Sequence, residues 1–326
     1  MRMCREAEAL TCREVTPIKG PRVTHVKVYA PELASRFRPG QYAWLLVPSV
    51  SPTSAHPFTA NVIDTDHISF LCKDMTPTSA LRKSQEGEGG NKMQQANWTR
   101  RLFDVAESTA AHGSLGNGVA AATATGGVTV VGFYGGVPAS SFTNAPVVLV
   151  AGGIGITPVI SVFQAALKAN VQDVTLIWVI RNTSYIDLPV ISQLLEDFAR
   201  GGHSSTVNVI VHVTRGDLEE SSLPSWCMFD SKGSDESGGV PEGGKGGEAS
   251  KNVPSGRRVL IKSGRPNMMH LFEEVVARNC TGGGRLKLAP GIGFTFACGP
   301  SRLQTTVSEL STSFGFHGNH TETFLF

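Results

Sequence analysis

Ala145-Pro-Val-Val-Leu-Val-Ala-Gly-Gly-Ile-Gly-Ile-Thr-Pro158 is the stretch from which the rest of the chain can be read. An apolar run meets Gly152, Gly153 and Gly155, then Thr157 and Pro158, then the helical pattern of residues 159–168. This is the order of a buried parallel strand, a tight turn and a helix. Such a turn leaves bare backbone N–H groups at a helix N-terminus, where a phosphate can be held. Glycine permits positive φ there and lets a ligand approach the backbone with no Cβ in the way. Pro158 suits the first helical turn, where its missing N–H would have no partner anyway. The spacing Gly152-Gly153-x-Gly155 is not the strict G-x-G-x-x-G fingerprint, so a turn without a ligand is the competing reading. Residues 145–163 carry no charge, which also raises a membrane span. Three glycines and two prolines argue against it, because a helix broken in its middle leaves backbone groups unpaired in lipid.

The chain has 326 residues, enough for two domains, and a formal net charge of +2, which points to neither nucleic acid nor an acidic surface as partner. Its hydrophobic content of 40% fits a globular protein. Cys4, Cys12, Cys72, Cys227, Cys280 and Cys298 are scattered, with neither a C-x-x-C pair nor zinc spacing. They read as free thiols in a reducing compartment. Residues 1–8 are of mixed charge without an apolar core, so no signal peptide is expected. Asn97-Trp-Thr, Asn182-Thr-Ser and Asn319-His-Thr match the glycosylation sequon and are read as chance.

Residues 12–131 look β-rich. Val23-Thr-His-Val-Lys-Val-Tyr29 alternates with period two, Tyr42-Ala-Trp-Leu-Leu-Val47 follows the turn signal Arg38-Pro-Gly-Gln41, and His67-Ile-Ser-Phe-Leu-Cys72 is another short strand. Short strands with Pro and Gly between them predict an antiparallel barrel or sandwich. Residues 84–126 and 228–255 are Gly/Ser-rich and read as mobile insertions without chemistry. After residue 144 strands and helices alternate. Strands are predicted at 146–151, 174–180, 207–213, 259–261 and 293–297, and helices at 158–169, 188–200, 267–278 and from 301. That predicts a parallel, Rossmann-like α/β sheet, with its ligand crevice at the carboxyl ends of the strands. The expected domains are residues 1–143 and 144–326.

The strand ends carry distinctive residues. The second parallel strand ends at Arg181, where NAD-binding folds place an acid for the ribose 2′-hydroxyl. An arginine suits a 2′-phosphate instead; a solvated arginine at a strand end is the plainer alternative. Ser263-Gly-Arg-Pro266 offers a second cation, Arg265. Ala297-Cys-Gly-Pro300 places Cys298, small and polarisable, as either a wall beside a flat ring or a buried structural thiol. In the β-rich half, Ala55-His-Pro-Phe-Thr-Ala60 offers a donor at His56 and a hydroxyl at Thr59; alone, the tetrapeptide is equally a loop.

Together these motifs resemble the cytosolic flavoprotein half of the ferric reductase and NADPH oxidase family, within the ferredoxin–NADP reductase-like superfamily. The resemblance rests on Pro39-Gly-Gln-Tyr42, His56-Pro-Phe-Thr59, Gly152-Gly-Ile-Gly-Ile-Thr-Pro158, Gly264-Arg-Pro266, Cys298-Gly-Pro300 and the aromatic end Phe324-Leu-Phe326, in the family's order. It covers the chain from about residue 12 onward, the two insertions excepted. It implies an antiparallel β-barrel that binds FAD, followed by an NADP-binding α/β domain. His56, Pro57, Phe58 and Thr59 would contact the flavin, with Thr59 near its reactive edge. Gly152, Gly153, Gly155, Thr157, Pro158, Arg181, Gly264, Arg265 and Pro266 would hold NADPH. Cys298, Gly299 and Pro300 would lie beside the nicotinamide, and Phe324 or Phe326 would cover the flavin.

Thr78 and Ser79, in Lys73-Asp-Met-Thr-Pro-Thr-Ser-Ala-Leu81, would open the helix under the flavin diphosphate, although the family's preceding Gly and aromatic residue are absent. Gly132-Phe-Tyr-Gly135 stands where the family has a proline after the first glycine. Thr59, Cys298 and Phe326 would be the residues nearest the chemistry. The implied activity is hydride transfer from NADPH to FAD and onward transfer of electrons to haem, ferric iron or oxygen. The family's haem-bearing membrane domain has no counterpart in this sequence, so haem is expected only in such a separate domain. The chain would then work at the cytosolic face of a membrane, and otherwise in the cytoplasm. A superoxide-generating oxidase, a soluble reductase with a protein acceptor and a non-catalytic module are the alternative readings.

Overall fold

A computed structural model of the chain describes residues 7–62, 64–76, 97–112, 127–142, 146–201, 206–215, 218, 223–230, 258–280 and 286–322. The chain divides into two compact units, Met1–Pro138 with Ile160–Val162, and Ala139–Val159 with Phe163–Phe326.

The first unit is a closed barrel built from β1 (Ala7–Ile18), β2 (Val23–Tyr29), β3 (Gln41–Leu46), β4 (Ala55–Val62), β5 (His67–Lys73) and β6 (Val128–Gly135), in the spatial order β1-β2-β5-β4-β3-β6. All described neighbours pair antiparallel. Strict alternation on β3 buries Ala43 and Leu45, which pack with Val26, Val28, Phe58, Ala60, Ile68 and Phe70 in the barrel core. A short helix, α1 (Pro31–Arg36), follows β2. His56-Pro-Phe-Thr59 is part of β4 rather than a loop.

Residues 84–126 are not one featureless insertion. Trp98–His112 forms a 15-residue helix, α2. Trp98, Leu102 and Ala106 recur at helical spacing and are buried, with Phe103 beside them. The flanking Gly/Ser-rich composition hides that stripe in the sequence. A polar knot ties α2 to the barrel. Arg22, in the β1–β2 turn with φ of 52°, donates twice to the buried Asp74 carboxylate at 2.7 and 2.9 Å. Its guanidinium also lies 4.5 Å from the centre of the Phe103 ring. The Met75 N–H donates to the Thr99 hydroxyl at 3.3 Å.

The second unit is a seven-stranded parallel sheet in the order β10-β11-β9-β8-β7-β12-β13. It comprises β7 (Val147–Gly152), β8 (Asp173–Ile180), β9 (Thr206–Val213), β10 (Cys227–Asp230), β11 (Arg258–Ser263), β12 (Phe294–Cys298) and β13 (Gly318–Glu322). Helices α3 (Ile156–Lys168) and α4 (Pro189–Arg200) connect strands on one side of β7, while α5 (Met268–Asn279) and α6 (Ser301–Phe314) connect those leading to its other side. Right-handed crossovers put the two helix pairs on opposite faces. Met268, Leu271, Phe272, Val275, Val307, Leu310 and Phe314 pack from α5 and α6 on Val148, Val150, Ile177 and Ala297. The polar strand β13 and the short strand β10, at the start of the Gly/Ser-rich stretch 228–255, have no apolar pattern of their own. Parallel pairing to β12 and β11 makes them strands.

Among the described residues no helix is long and apolar enough to cross a membrane, and Cys12, Cys72, Cys227, Cys280 and Cys298 are free thiols.

Burial alone would raise the Asp74 carboxyl, but hydrogen bonds with Thr76 and Arg22 prevail and hold it below its ordinary 3.8. A depressed carboxyl stabilises the fold above its unfolded value, and the gain is lost as pH falls through the folded one. Asp74→Ala should therefore cost about 3 kcal/mol at neutral pH. Acid titrations of melting temperature should show the wild type losing stability below about 3.8 and converging on the variant.

Candidate active site

The sheet order reverses between β7 and β12. From β7 the chain goes through α3 to β8 on one side, and from β12 through α6 to β13 on the other. Ligands of open parallel sheets bind at such a switch point, outside the carboxyl ends of the strands. Two turns line it, Gly152–Gly155 after β7 and Cys298–Pro300 after β12.

The three glycines of the first turn have different tasks. Only Gly153 has positive φ, at 55°, and a Cβ built on it would meet nothing within 4 Å. A Cβ on Gly155 would overlap the Cys298 carbonyl oxygen, and one on Gly152 would lie 2.6 Å from Pro300 Cδ. From the other side, a Cβ on Gly299 would lie 3.0 Å from Gly152 Cα. Gly152 and Gly155 thus make room for a neighbouring backbone, and Gly153 alone faces open space. The buried Trp178 indole on β8 donates to the Gly153 carbonyl at 2.9 Å and pins the turn. The Thr157 hydroxyl, in the first turn of α3, donates back to the Ile154 carbonyl in the glycine turn at 3.1 Å, and Pro158 is the third residue of that helix.

An arginine follows each of three adjacent strands. Arg181 follows β8, Arg215 follows β9 and Arg265 follows β11, and all three are exposed. Backbone pairing runs past the strand ends: Arg215 N–H donates to the Arg181 carbonyl at 2.9 Å, and Gly264 N–H to the Val213 carbonyl at 2.9 Å. Gly264 has φ of 85°, and Pro266 follows Arg265 before α5. The structure brings Arg181 and Arg265 to one edge of the sheet and adds Arg215. The signal for Arg215 was present in the sequence, since it follows the strand predicted at 207–213, but only the strand order makes it a neighbour of the others.

Cys298 is wholly buried, and burial, with the nearby Glu322 charge, pushes its thiol far up, so it stays protonated. Its cross-strand partner on β13 is Glu322. One carboxylate oxygen of Glu322 is buried with no partner among the described residues, and burial raises this acid from 4.5 to about 7. The Gln304 amide donates to the Gly299 carbonyl at 2.7 Å and to the Glu322 carbonyl at 3.1 Å, joining the β12 turn to the end of β13. Glu322 went unnoticed in the sequence because a polar edge strand carries no period that marks it.

In the barrel unit, the His56 ring lies 4.9 Å and the Phe58 ring 5.5 Å from that of Trp98, at the start of α2. Burial lowers the His56 pKa, so the imidazole is neutral at pH 7. Pro57 lies opposite Trp44 and Thr59 opposite Tyr42 on β3. The Thr59 hydroxyl is buried with no partner among the described residues. Asn97 caps α2, its side chain accepting from the Arg100 N–H at 2.8 Å and from the Thr99 hydroxyl at 2.9 Å. Among the described residues, the first helix after β5 opens at Trp98, inside the tripeptide read as a chance sequon. Thr78, Ser79, Phe324 and Phe326 lie outside the described residues.

A closed antiparallel barrel followed by a parallel sheet with this switch point is the two-domain fold of the ferredoxin–NADP reductase-like proteins. The model of the ferric reductase NAD binding domain matches residues 144–312, just over half of the 326-residue chain, and the chain belongs to that family. Among solved structures it is similar to a ferredoxin NADP+ reductase from Neisseria gonorrhoeae with bound FAD and NADP, at 13% identity and a TM-score of 0.52, over 98% of either chain. It is similar to the flavohem-like FAD/NAD binding domain of nitric oxide dioxygenase from Vibrio cholerae O1 biovar El Tor, at 14% identity and a TM-score of 0.50, again over 98% of either chain. A flavohemoglobin from Malassezia yamatoensis with bound FAD and heme shares 14% identity with a TM-score of 0.53; 98% of this chain matches, and it spans 60% of the flavohemoglobin's length. At these identities the likeness is one of fold. No curated protein matches the chain significantly.

Two outcomes follow. Gly155→Ala should cost about 3 kcal/mol or more, since its Cβ would overlap a backbone that cannot yield. Gly153→Ala should cost only about 1–2 kcal/mol for its left-handed φ. Urea denaturation of the two variants tests that order. A carboxyl raised in the folded state opposes folding once ionised, so stability should fall as pH rises from 4.5 to about 7. Melting temperatures of Glu322→Gln across that range should lack this fall.

Proposed function

We propose that the chain is a flavin-dependent oxidoreductase of the ferric-chelate reductase type, taking hydride from NADPH into FAD and passing electrons on to haem or ferric iron. The observation that carries this reading is the pair of glycine turns at the switch point, in a chain whose barrel also holds a buried threonine hydroxyl with no partner among the described residues. When bound, FAD accepts hydride from the nicotinamide and can release electrons one at a time.

The chain's own residues bind and orient. Thr59 presents its hydroxyl to the reactive edge of the flavin, and neutral His56 supplies a ring N–H. The positive end of α2, with Arg100 and Arg101 in its first turn, suits the FAD diphosphate. In this reading that position replaces residues 78 and 79. Phe324 or Phe326 covers the flavin ring. In the second unit, the open face of Gly153 and the N-terminus of α3 receive the nucleotide diphosphate. Arg181, Arg215 and Arg265 hold the 2′-phosphate through charge-assisted hydrogen bonds, which selects NADPH over NADH. Cys298 borders the nicotinamide as a neutral thiol and not as a nucleophile. Glu322, uncharged over much of the range below about 7, donates a hydrogen bond toward the same pocket. Haem in a membrane domain outside this chain would place the reductase at the cytosolic face of that membrane.

Anaerobic titration of the FAD-reconstituted protein tests the hydride step: NADPH should bleach the flavin band at about 450 nm, a property of the cofactor. FAD binding without bleaching by either nucleotide would leave a non-catalytic module as the better reading. Arg181→Ala and Arg215→Ala should each weaken NADPH use about tenfold or more and leave NADH use nearly unchanged. Equal losses with both nucleotides would contradict the 2′-phosphate assignment. Ferrous iron trapped by a chelator, measured against superoxide release, separates a metal reductase from an oxidase.

A further inference from the structure

We propose that Asn61 reads the pyrimidine edge of the flavin, its carboxamide pairing with the ring N3–H and a carbonyl beside it; this rests on FAD occupying the barrel as proposed above. Asn61 is 2% exposed, and both its amide nitrogen and its amide oxygen are buried with no partner among the described residues. A carboxamide closed away from water with neither its donors nor its acceptor paired is costly, and native folds rarely keep one without a use. Among the described residues none pairs with it. Ser69 stands directly opposite on β5, but its hydroxyl is engaged by the His25 ring nitrogen at 2.7 Å.

The place of Asn61 matters as much as its lack of partners. It lies two residues beyond Thr59 on β4, so both side chains leave the strand on one face. Thr59 is 3% exposed and its hydroxyl is likewise unpartnered. One short stretch of a single strand face thus presents a hydroxyl, an amide donor and an amide acceptor, all dry and all unsatisfied. A complementary ligand needs a flat edge on which donor and acceptor sit side by side. The flavin pyrimidine ring has that edge, with N3–H between two carbonyls and one carbonyl adjacent to N5. With Thr59 at the N5 end, Asn61 falls further along the same edge. The two residues have separate tasks: Thr59 steadies the reacting end, and Asn61 sets orientation and affinity. Asn61 is a positioning residue, acting through where the ring is held.

The test compares the full-length wild type with Asn61→Leu, which keeps the branched shape and removes the polar atoms. Three quantities are read: the apo-protein melting temperature, the dissociation constant for FAD, and that for FAD methylated at N3, which lacks the donor. The apo form of Asn61→Leu should melt no lower than the wild type, because an unpaired amide is lost. Its FAD affinity should be about tenfold weaker or more. The wild type should bind the N3-methyl flavin about tenfold more weakly than FAD, and the variant should bind the two alike. Equal FAD affinity in wild type and variant overturns the proposal, as does a variant that still discriminates against N3-methylation. A markedly lower apo melting temperature also overturns it, since it would show that the amide has a structural partner. In each of those cases the wild type still binds FAD. A wild type that binds none removes the FAD reading itself, and this inference with it.

Discussion

Two backbones that pass in direct contact set the geometry of the functional edge of the parallel sheet. Strands β7 and β12 are neighbours, and their turns, Gly152–Gly155 and Cys298–Pro300, leave toward opposite faces. A side chain on Gly152, Gly155 or Gly299 would put atoms at 3.0 Å or less from the other turn. Glycine at these positions is a packing requirement before it is anything else. Because the turns touch, the N-termini of α3 and α6 open beside one crevice. Trp178 on β8 and Gln304 on α6 then fix each turn from its outer side through a backbone carbonyl.

Several of the polar groups left buried and unpaired among the described residues lie near the motifs. Thr59 and Asn61 on β4, and Glu322 at the end of β13, are buried without partners among the described residues. Each weakens the fold by itself, since a dry polar group forfeits its water and gains nothing in return. Such departures from local consistency are expected at sites that bind something. The Arg22–Asp74 knot shows the contrasting case, a buried carboxylate given every partner it needs. It anchors α2 beside β4 and thereby puts the Trp98 ring against His56 and Phe58.

The order of elements was legible in the sequence wherever a face is buried. The two-fold alternation on β3 and the continuous apolar runs of β7 and β8 show directly in the residues, because burial on one or two faces dictates them. Helix α2 was not legible. Its apolar stripe is four residues wide, set among glycine and serine, and its role is to cover one barrel rather than to join a layer. The polar strand β13 was hidden for the opposite reason: backbone pairing with β12 makes it a strand, and pairing partners are not written in local composition.

The sequence by itself determined the fold class, the glycine turn, the cations Arg181 and Arg265, and the tetrapeptide of His56 to Thr59. These rest on local rules of period, turn chemistry and charge that hold within a few residues. Only the tertiary structure decided that Gly152 and Gly155 serve packing, that Arg215 joins the other two arginines, that Asn97 and Trp98 open the helix beside His56, and that Asn61 and Glu322 are left dry and unpaired. Each of these depends on which strand lies next to which, and that order is set by the burial of the whole sheet and barrel rather than by any stretch of the chain.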